Sequence, residues 1–199
     1  MREMVKMVIT LTVLAAVAGG LLSAVKGATA DRIDQAVLEY VQGPAILSIM
    51  TEVSNDPLAD RFSMEVNGEE RNFFIGKKNG VPQIIAFETK ASGYGGELGV
   101  MVGIELDSGK IAGIGVTTHS ETPGLGSRAA TDVRFKTSFV GLPVADSDKI
   151  QIGNDGGDVA AIGGATVTSR AVSSAVRTAG AIFQEYESQI KTQVETFSG

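Results

Sequence analysis

Asn72-Phe73-Phe74-Ile75-Gly76-Lys77-Lys78-Asn79-Gly80-Val81-Pro82-Gln83-Ile84-Ile85-Ala86-Phe87 places two apolar runs on either side of Asn79-Gly80. Asn-Gly tolerates the left-handed backbone that a tight two-residue turn needs, so the stretch predicts strands over 72–75 and 81–87 joined as a hairpin. Glu97 to Leu106 and Ile111 to Thr118 repeat the arrangement around Asp107-Ser108-Gly109-Lys110. Two hairpins in succession predict an antiparallel meander. Between them, Gly93-Tyr94-Gly95-Gly96 is too glycine-rich for an ordinary strand. It is either a bulge or a place where the backbone comes close to a ligand.

Downstream of the fourth strand comes His119-Ser120-Glu121-Thr122-Pro123-Gly124-Leu125-Gly126. A loop with a carboxylate and Pro-Gly at a strand end suits contact with a ligand, while a lone histidine is more often a surface residue than a catalyst. Gly124 to Ala129 also matches a dinucleotide fingerprint, yet antiparallel hairpins are the wrong setting for one. Thr131 to Phe139, with Val133, Phe135 and Phe139, predicts a short helix. Asp146-Ser147-Asp148 and Asn154-Asp155-Gly156-Gly157-Asp158 do not have the spacing of a calcium loop and read as solvated turns.

A second stretch, Gly163-Gly164-Ala165-Thr166-Val167-Thr168-Ser169-Arg170, opens a long helix whose apolar face is Val172, Val176, Ala179, Phe183, Tyr186 and Ile190. Thr168 or Ser169 is the expected N-cap. Small residues leave Thr166 bare at a helix start, where unpaired N–H groups and the helix dipole favour a phosphate. The plainer alternative is a threonine in a glycine-rich turn that begins a helix and does nothing else. Past Val194 the sequence reads as a polar tail.

Before the sheet, Met7 to Val25 runs uncharged for about 19 residues, enough to cross a bilayer core. A cleaved signal peptide ending at Ala28-Thr29-Ala30 is the competitor; with Met1 present, the expectation is a retained single anchor. Asp31 to Val41 predicts a short connecting helix stopped by Gly43-Pro44, and residues 45–70 show a mixed pattern with a turn at Asn55-Asp56-Pro57 and no residues that point to chemistry. The expected organisation is an anchor over 1–30, a linker helix and irregular segment over 31–70, and a ligand-binding domain over 71–199. The fold class is α+β: a transmembrane helix, then a twisted antiparallel sheet packed with helices. A net charge of −6 argues against a nucleic-acid surface. With no cysteine and one histidine, thiolate iron–sulfur clusters, disulfides and Cys/His zinc sites are excluded within the chain. Redox chemistry here requires an organic cofactor or a partner.

The segment Gly164-Ala165-Thr166-Val167-Thr168-Ser169 resembles the Ser/Thr-Gly-Ala-Thr-x-Thr/Ser signature of FMN-binding domains in which FMN is esterified through its phosphate to a threonine. These are the G subunit of Rnf, a ferredoxin:NAD oxidoreductase, and the C subunit of the sodium-translocating NADH:quinone oxidoreductase. Two departures are visible: Gly163 stands where Ser or Thr usually precedes the motif, and the upstream acid is Asp158, with Ala160 nearer its usual place. His119-x-Glu121-Thr122-Pro123-Gly124-Leu125-Gly126 is similar to a second signature of the same family, and Gly93-Tyr94-Gly95-Gly96 to a third. Together the resemblance spans roughly residues 73–185.

What the resemblance implies is a covalent FMN on Thr166, with Gly164, Ala165, Thr168 and Ser169 around its phosphate. Glu121, Thr122, Gly124, Leu125, Tyr94 and Gly95 would contact the ring or ribityl chain, and no catalytic acid, base or metal is called for. The implied role is a membrane-anchored electron carrier in an Rnf-type complex driving Na+ or H+ translocation, with little activity alone. Its partners would be other membrane subunits and a flavin transferase. The N-terminus would be cytoplasmic and the flavin domain outside the cell membrane. Chain length favours the G subunit over the longer C subunit; a non-redox anchored sensor or scaffold is the reading from a different class.

Overall fold

The computed structural model describes residues 1–197, apart from the side chain of Asp31. Two compact units are present, residues 1–40 and residues 41–199. The first holds helix α1 (Arg2–Ala36), followed by a π-helical turn over Val37–Gln42. Within α1, Arg2–Ala30 is long and apolar enough to span a membrane. Its 29 residues rise about 44 Å at 1.5 Å each, and side chains such as Leu11, Leu14, Leu21 and Leu22 all point outward. Thr10 and Thr12 turn their hydroxyls back onto the carbonyls of Lys6 and Val8, so neither presents an unpaired polar group along the span. The helix fits a single-pass membrane protein.

No separate helix starts at Asp31, and Gly43-Pro44 does not stop one. Pro44 instead lies in the first turn of α2 (Gly43–Ile49), where a missing N–H leaves no hydrogen bond unmade. The second unit is a five-stranded antiparallel meander, β1 (Arg61–Val66), β2 (Glu69–Lys78), β3 (Val81–Ser92), β4 (Glu97–Glu105) and β5 (Ile111–Thr118), in sequential order. The two expected hairpins are there. Lys78 pairs with Val81 across Asn79 (φ 53°) and Gly80 (φ 80°), and both dihedrals are those of a type I′ turn.

β1 was not expected, though its signals are present. Phe62, Met64 and Val66 alternate inward, and Val66 pairs with Glu69 across Asn67 (φ 54°) and Gly68 (φ 81°), a second Asn-Gly turn. The single helix expected over 131–139 is two short ones, α3 (Arg128–Thr131) and α4 (Val133–Thr137). Asp132 between them is extended (φ −72°, ψ 107°), and its carboxylate accepts from the Phe135 N–H as the cap of α4.

Helix α5 (Thr166–Glu195) lies on one face of the sheet. Val172, Val176, Ala179, Phe183 and Ile190 are buried there with Ile85, Phe87, Val100 and Val102, and Tyr186 is half-buried. Phe73 bridges Phe62 and Phe87 at ring separations of 5.3 and 4.8 Å. The opposite face is paved with glycine at 76, 103, 113 and 115, and α2 sits on it. A Cβ on Gly115 would stand 2.7 Å from Ala45 Cβ, so the helix rests directly on backbone. The end of the chain is not wholly polar tail: the Phe197 ring lies 6.3 Å from that of Phe62, while residues 198 and 199 lie outside the described residues.

Candidate functional site

Three segments far apart in sequence meet at one end of the sheet. The first is the β3–β4 connection, closed by Gly93 N–H donating to the Gly96 carbonyl at 2.7 Å. The second is the loop after β5, in which Leu125 N–H and Ser127 N–H both donate to the Thr122 carbonyl at 3.2 Å and Gly124 takes φ 75°. The third is the turn into α5, where Gly164 adopts φ 81° and its missing Cβ would lie 3.3 Å from Leu125 Cδ2.

Between them is a cavity of about 610 Å³ lined by Tyr94, Glu121, Thr122, Leu125, Gly126 and residues 164–168. Its size is ordinary for a cofactor-sized ligand. Tyr94, Leu125 and Val167 expose apolar surface at its edge, at 75, 47 and 48 %. Such a rim suits one face of a flat, largely apolar ring.

α5 begins at Thr166, two residues before the expected cap, and Ala165 in the N-cap position offers no polar side chain to the first turn. The expected caps are used otherwise. Thr168 Oγ1 donates to Glu121 Oε2 at 2.8 Å, and Ser169 Oγ accepts from Ile162 N–H and donates to the Ala165 carbonyl, both at 3.0 Å. Both hydroxyls are buried, at 1 and 0 % exposure. The helix therefore opens without a cap, its first N–H groups and positive dipole end beside the cavity. Among the described residues the Thr166 hydroxyl makes no hydrogen bond. A phosphate fits this donor set: unsatisfied N–H groups, small neighbours and a free hydroxyl.

Of the residues singled out from sequence, Thr166, Gly164, Ala165, Thr168, Glu121, Thr122, Leu125 and Tyr94 line the cavity. Gly95, Gly124 and Ser169 do not; Ser169 is a buried tie within the turn, and a Cβ on Gly95 would run into the Ser120 carbonyl, so this glycine lets two loops touch. Val167 and Gly126 line it without having been singled out. Gly126 could have been found from its place at the end of the Pro-Gly-Leu-Gly run. His119 is exposed and lies off the cavity. The turn itself is braced from outside: Arg170 Nε and Nη2 donate to the two carboxylate oxygens of Asp155 at 2.7 and 2.8 Å. Asp158, the acid noted from sequence, does not make this contact.

A model of the FMN-binding domain matches residues 93–181, which contain all three segments. The G subunit of the ion-translocating oxidoreductase complex of Vibrio atlanticus (strain LGP32) is 37 % identical over 187 residues, 86 % of each chain. This chain belongs to that G-subunit family. The corresponding G subunit of Methanosarcina acetivorans is 30 % identical and covers 89 % of this chain and 93 % of its own. The solved structure of Shewanella oneidensis NqrC superimposes with a TM-score of 0.53 at 22 % identity, over 71 % of this chain and 73 % of that one, and so shares the α+β fold. The G-subunit relatives are components of ion-translocating oxidoreductase complexes by name, and an FMN-binding domain with an N-terminal apolar helix fits a redox component of such an assembly.

Proposed function

We propose that this chain carries FMN as a phosphoester on Thr166 and passes electrons between membrane-embedded partners of an Rnf-type ferredoxin:NAD oxidoreductase. The observation that carries the reading is the Thr166 hydroxyl. Among the described residues it is unpartnered; it lines the cavity and stands on a helix start without a side-chain cap.

FMN supplies reversible electron transfer at its ring; attachment through the phosphate leaves that ring chemically untouched. The protein's own contribution is to hold and orient. Backbone N–H groups of the first turn of α5 are available to the phosphate, Gly164 and Ala165 keep side chains out of its way, and Thr122 offers a hydroxyl at the cavity wall. Leu125, Val167 and Tyr94 supply apolar contact. No proton transfer is required of the chain for this role.

Attachment falls to a separate transferase acting on FAD. The Thr166 oxygen forms a bond to the flavin-side phosphorus, the pyrophosphate bond breaks, AMP leaves with the bridging oxygen, and the hydroxyl proton is released. In this reading the N-terminus lies in the cytoplasm and the flavin domain outside the cell membrane. The coupling ion is Na+ or H+, and the isolated subunit has little turnover of its own.

The deciding experiment is the intact mass of the chain co-expressed with a flavin transferase, followed by peptide mapping across residues 163–170. A gain of FMN less water on that peptide supports the reading. An unmodified peptide, with the transferase active on another substrate, overturns it and favours an anchored sensor or scaffold.

A further inference from the structure

Glu121 is 6 % exposed, and its side chain stands where all three cavity-lining segments meet. Oε1 accepts from the Gly95 N–H at 3.1 Å; Oε2 accepts from Thr168 Oγ1 at 2.8 Å. Gly93 and Gly126 enclose the same carboxylate, since a Cβ on either would overlap one of its oxygens. Among the described residues no lysine, arginine or histidine forms an ion pair with it. Burying a carboxylate against two neutral donors is costly, and an apolar side chain would fill such space at less cost. What the carboxylate does that an apolar group cannot is hold two donors from two segments at once.

The consequence for Thr166 follows from helical geometry. Residues two apart on a helix have a fixed angular relation of about 200° around the axis, so holding Thr168 on Glu121 also fixes the angular position of Thr166 at the cavity. The Glu121–Thr168 bond therefore sets the rotation of the first turn of α5, while the Gly95 bond holds the opposite wall. We propose that Glu121 is a positioning residue for flavin attachment: through Thr168 it presents the Thr166 hydroxyl to the incoming phosphate. This rests on the reading of Thr166 as the attachment residue. It also assigns Glu121 a different task from contact with the flavin, because both of its oxygens are engaged by the protein.

The test is the rate of attachment to the full-length chain in detergent, with purified flavin transferase and FAD, followed by intact mass. Three variants are compared with the unaltered chain: Glu121→Leu, Thr168→Val and Glu121→Gln. Leu and Val each break the latch, and kcat for attachment is expected to fall about tenfold or more with KM little changed. Gln keeps both contacts, its amide oxygen accepting from Gly95 and its amide nitrogen donating to Thr168 Oγ1. Its rate is expected within about threefold of the unaltered chain, a rescue that a merely folded or unfolded domain would not produce. Hydrogen exchange of the flavin-free chains is expected to quicken at residues 93–96 and 163–169 in the Leu variant, at 163–169 in the Val variant, and at neither in the Gln variant. Should Glu121→Leu fail to fold, Thr168→Val, which swaps one hydroxyl for a methyl of similar size, still decides the matter.

Attachment to Thr168→Val at the rate of the unaltered chain overturns the latch, and so does a Gln variant as slow as Thr168→Val. An unaltered chain that gains no flavin on Thr166 overturns the attachment reading itself, so the two failures are distinct.

Discussion

Arg170 grips both carboxylate oxygens of Asp155, at 2.7 and 2.8 Å, and so ties the first turn of α5 to the loop that leads into it. Hydrogen bonding from the guanidinium, aided by its positive charge, holds the Asp155 carboxyl below its ordinary range against a smaller opposing effect of desolvation. A carboxyl lowered in the folded state contributes stability above its unfolded pKa of about 3.9, and that contribution is lost as pH falls through the lower folded value. Asp155→Asn should therefore remove part of the acid dependence of thermal unfolding below about pH 4. At neutral pH it should cost little, because Arg170 is 54 % exposed and the pair is well screened. Melting curves of both chains between pH 3 and 7 would show it; parallel curves would contradict it.

Thr166→Val should leave unfolding nearly unchanged and abolish covalent flavin, because the hydroxyl makes no hydrogen bond among the described residues. Mass spectrometry after denaturation is the check. Flavin surviving denaturation on the Val variant would assign attachment to another residue.

The glycine bed under α2 makes a graded prediction. A Cβ on Gly113 would meet Ile49 at 3.4 Å, whereas one on Gly115 would meet Ala45 Cβ at 2.7 Å and its Cα at 3.1 Å. Gly115→Ala should thus lift α2 and destabilise by about 1 to 3 kcal/mol, with Gly113→Ala costing clearly less. Denaturant unfolding of the two variants measures the difference, and equal losses would refute the direct seating of α2.

Phe87 is fully buried, with its ring 4.8 Å from that of Phe73. Phe87→Ala should cost about 3 to 5 kcal/mol in chemical unfolding, the cavity left behind included. Tyr186→Phe, which removes a hydroxyl that donates to Asn67 Oδ1 at 3.2 Å and accepts from the Asn67 N–H at 3.4 Å, should cost about 0.5 to 1.5 kcal/mol.

Orientation can be read cleanly because the chain has no cysteine of its own. Ser147 is exposed, so Ser147→Cys should react with a membrane-impermeant maleimide in intact cells if the flavin domain faces outward. Labelling only after lysis would reverse the topology.

Much of this architecture was legible locally. Asn79-Gly80 fixed one turn because only residues tolerant of positive φ close a two-residue hairpin, and the three-and-four spacing from Val172 to Ile190 marked the buried face of α5. Asn67-Gly68 carried the same turn signal, and the alternation of Phe62, Met64 and Val66 carried the strand signal beside it, so β1 was readable from sequence as well. Most of the cavity's lining was legible as three motifs, because each gathers small, hydroxyl or turn-forming residues at the end of a strand or the start of a helix.

Tertiary structure decided what those residues do for one another. Thr168 and Ser169 have the chemistry of helix caps, yet the loop after β5 brings Glu121 to the one hydroxyl, the turn before α5 brings the Ile162 N–H to the other, and α5 is left without a side-chain cap beside the cavity. Gly103, Gly113 and Gly115 look like weak points in strands until α2 is seen resting on them. A pattern of side chains reports backbone preference over a turn or two. Which face is covered, which hydroxyl is free and which carboxylate is buried depend on contacts between residues dozens of positions apart, and those exist only once the sheet has closed its register against α5.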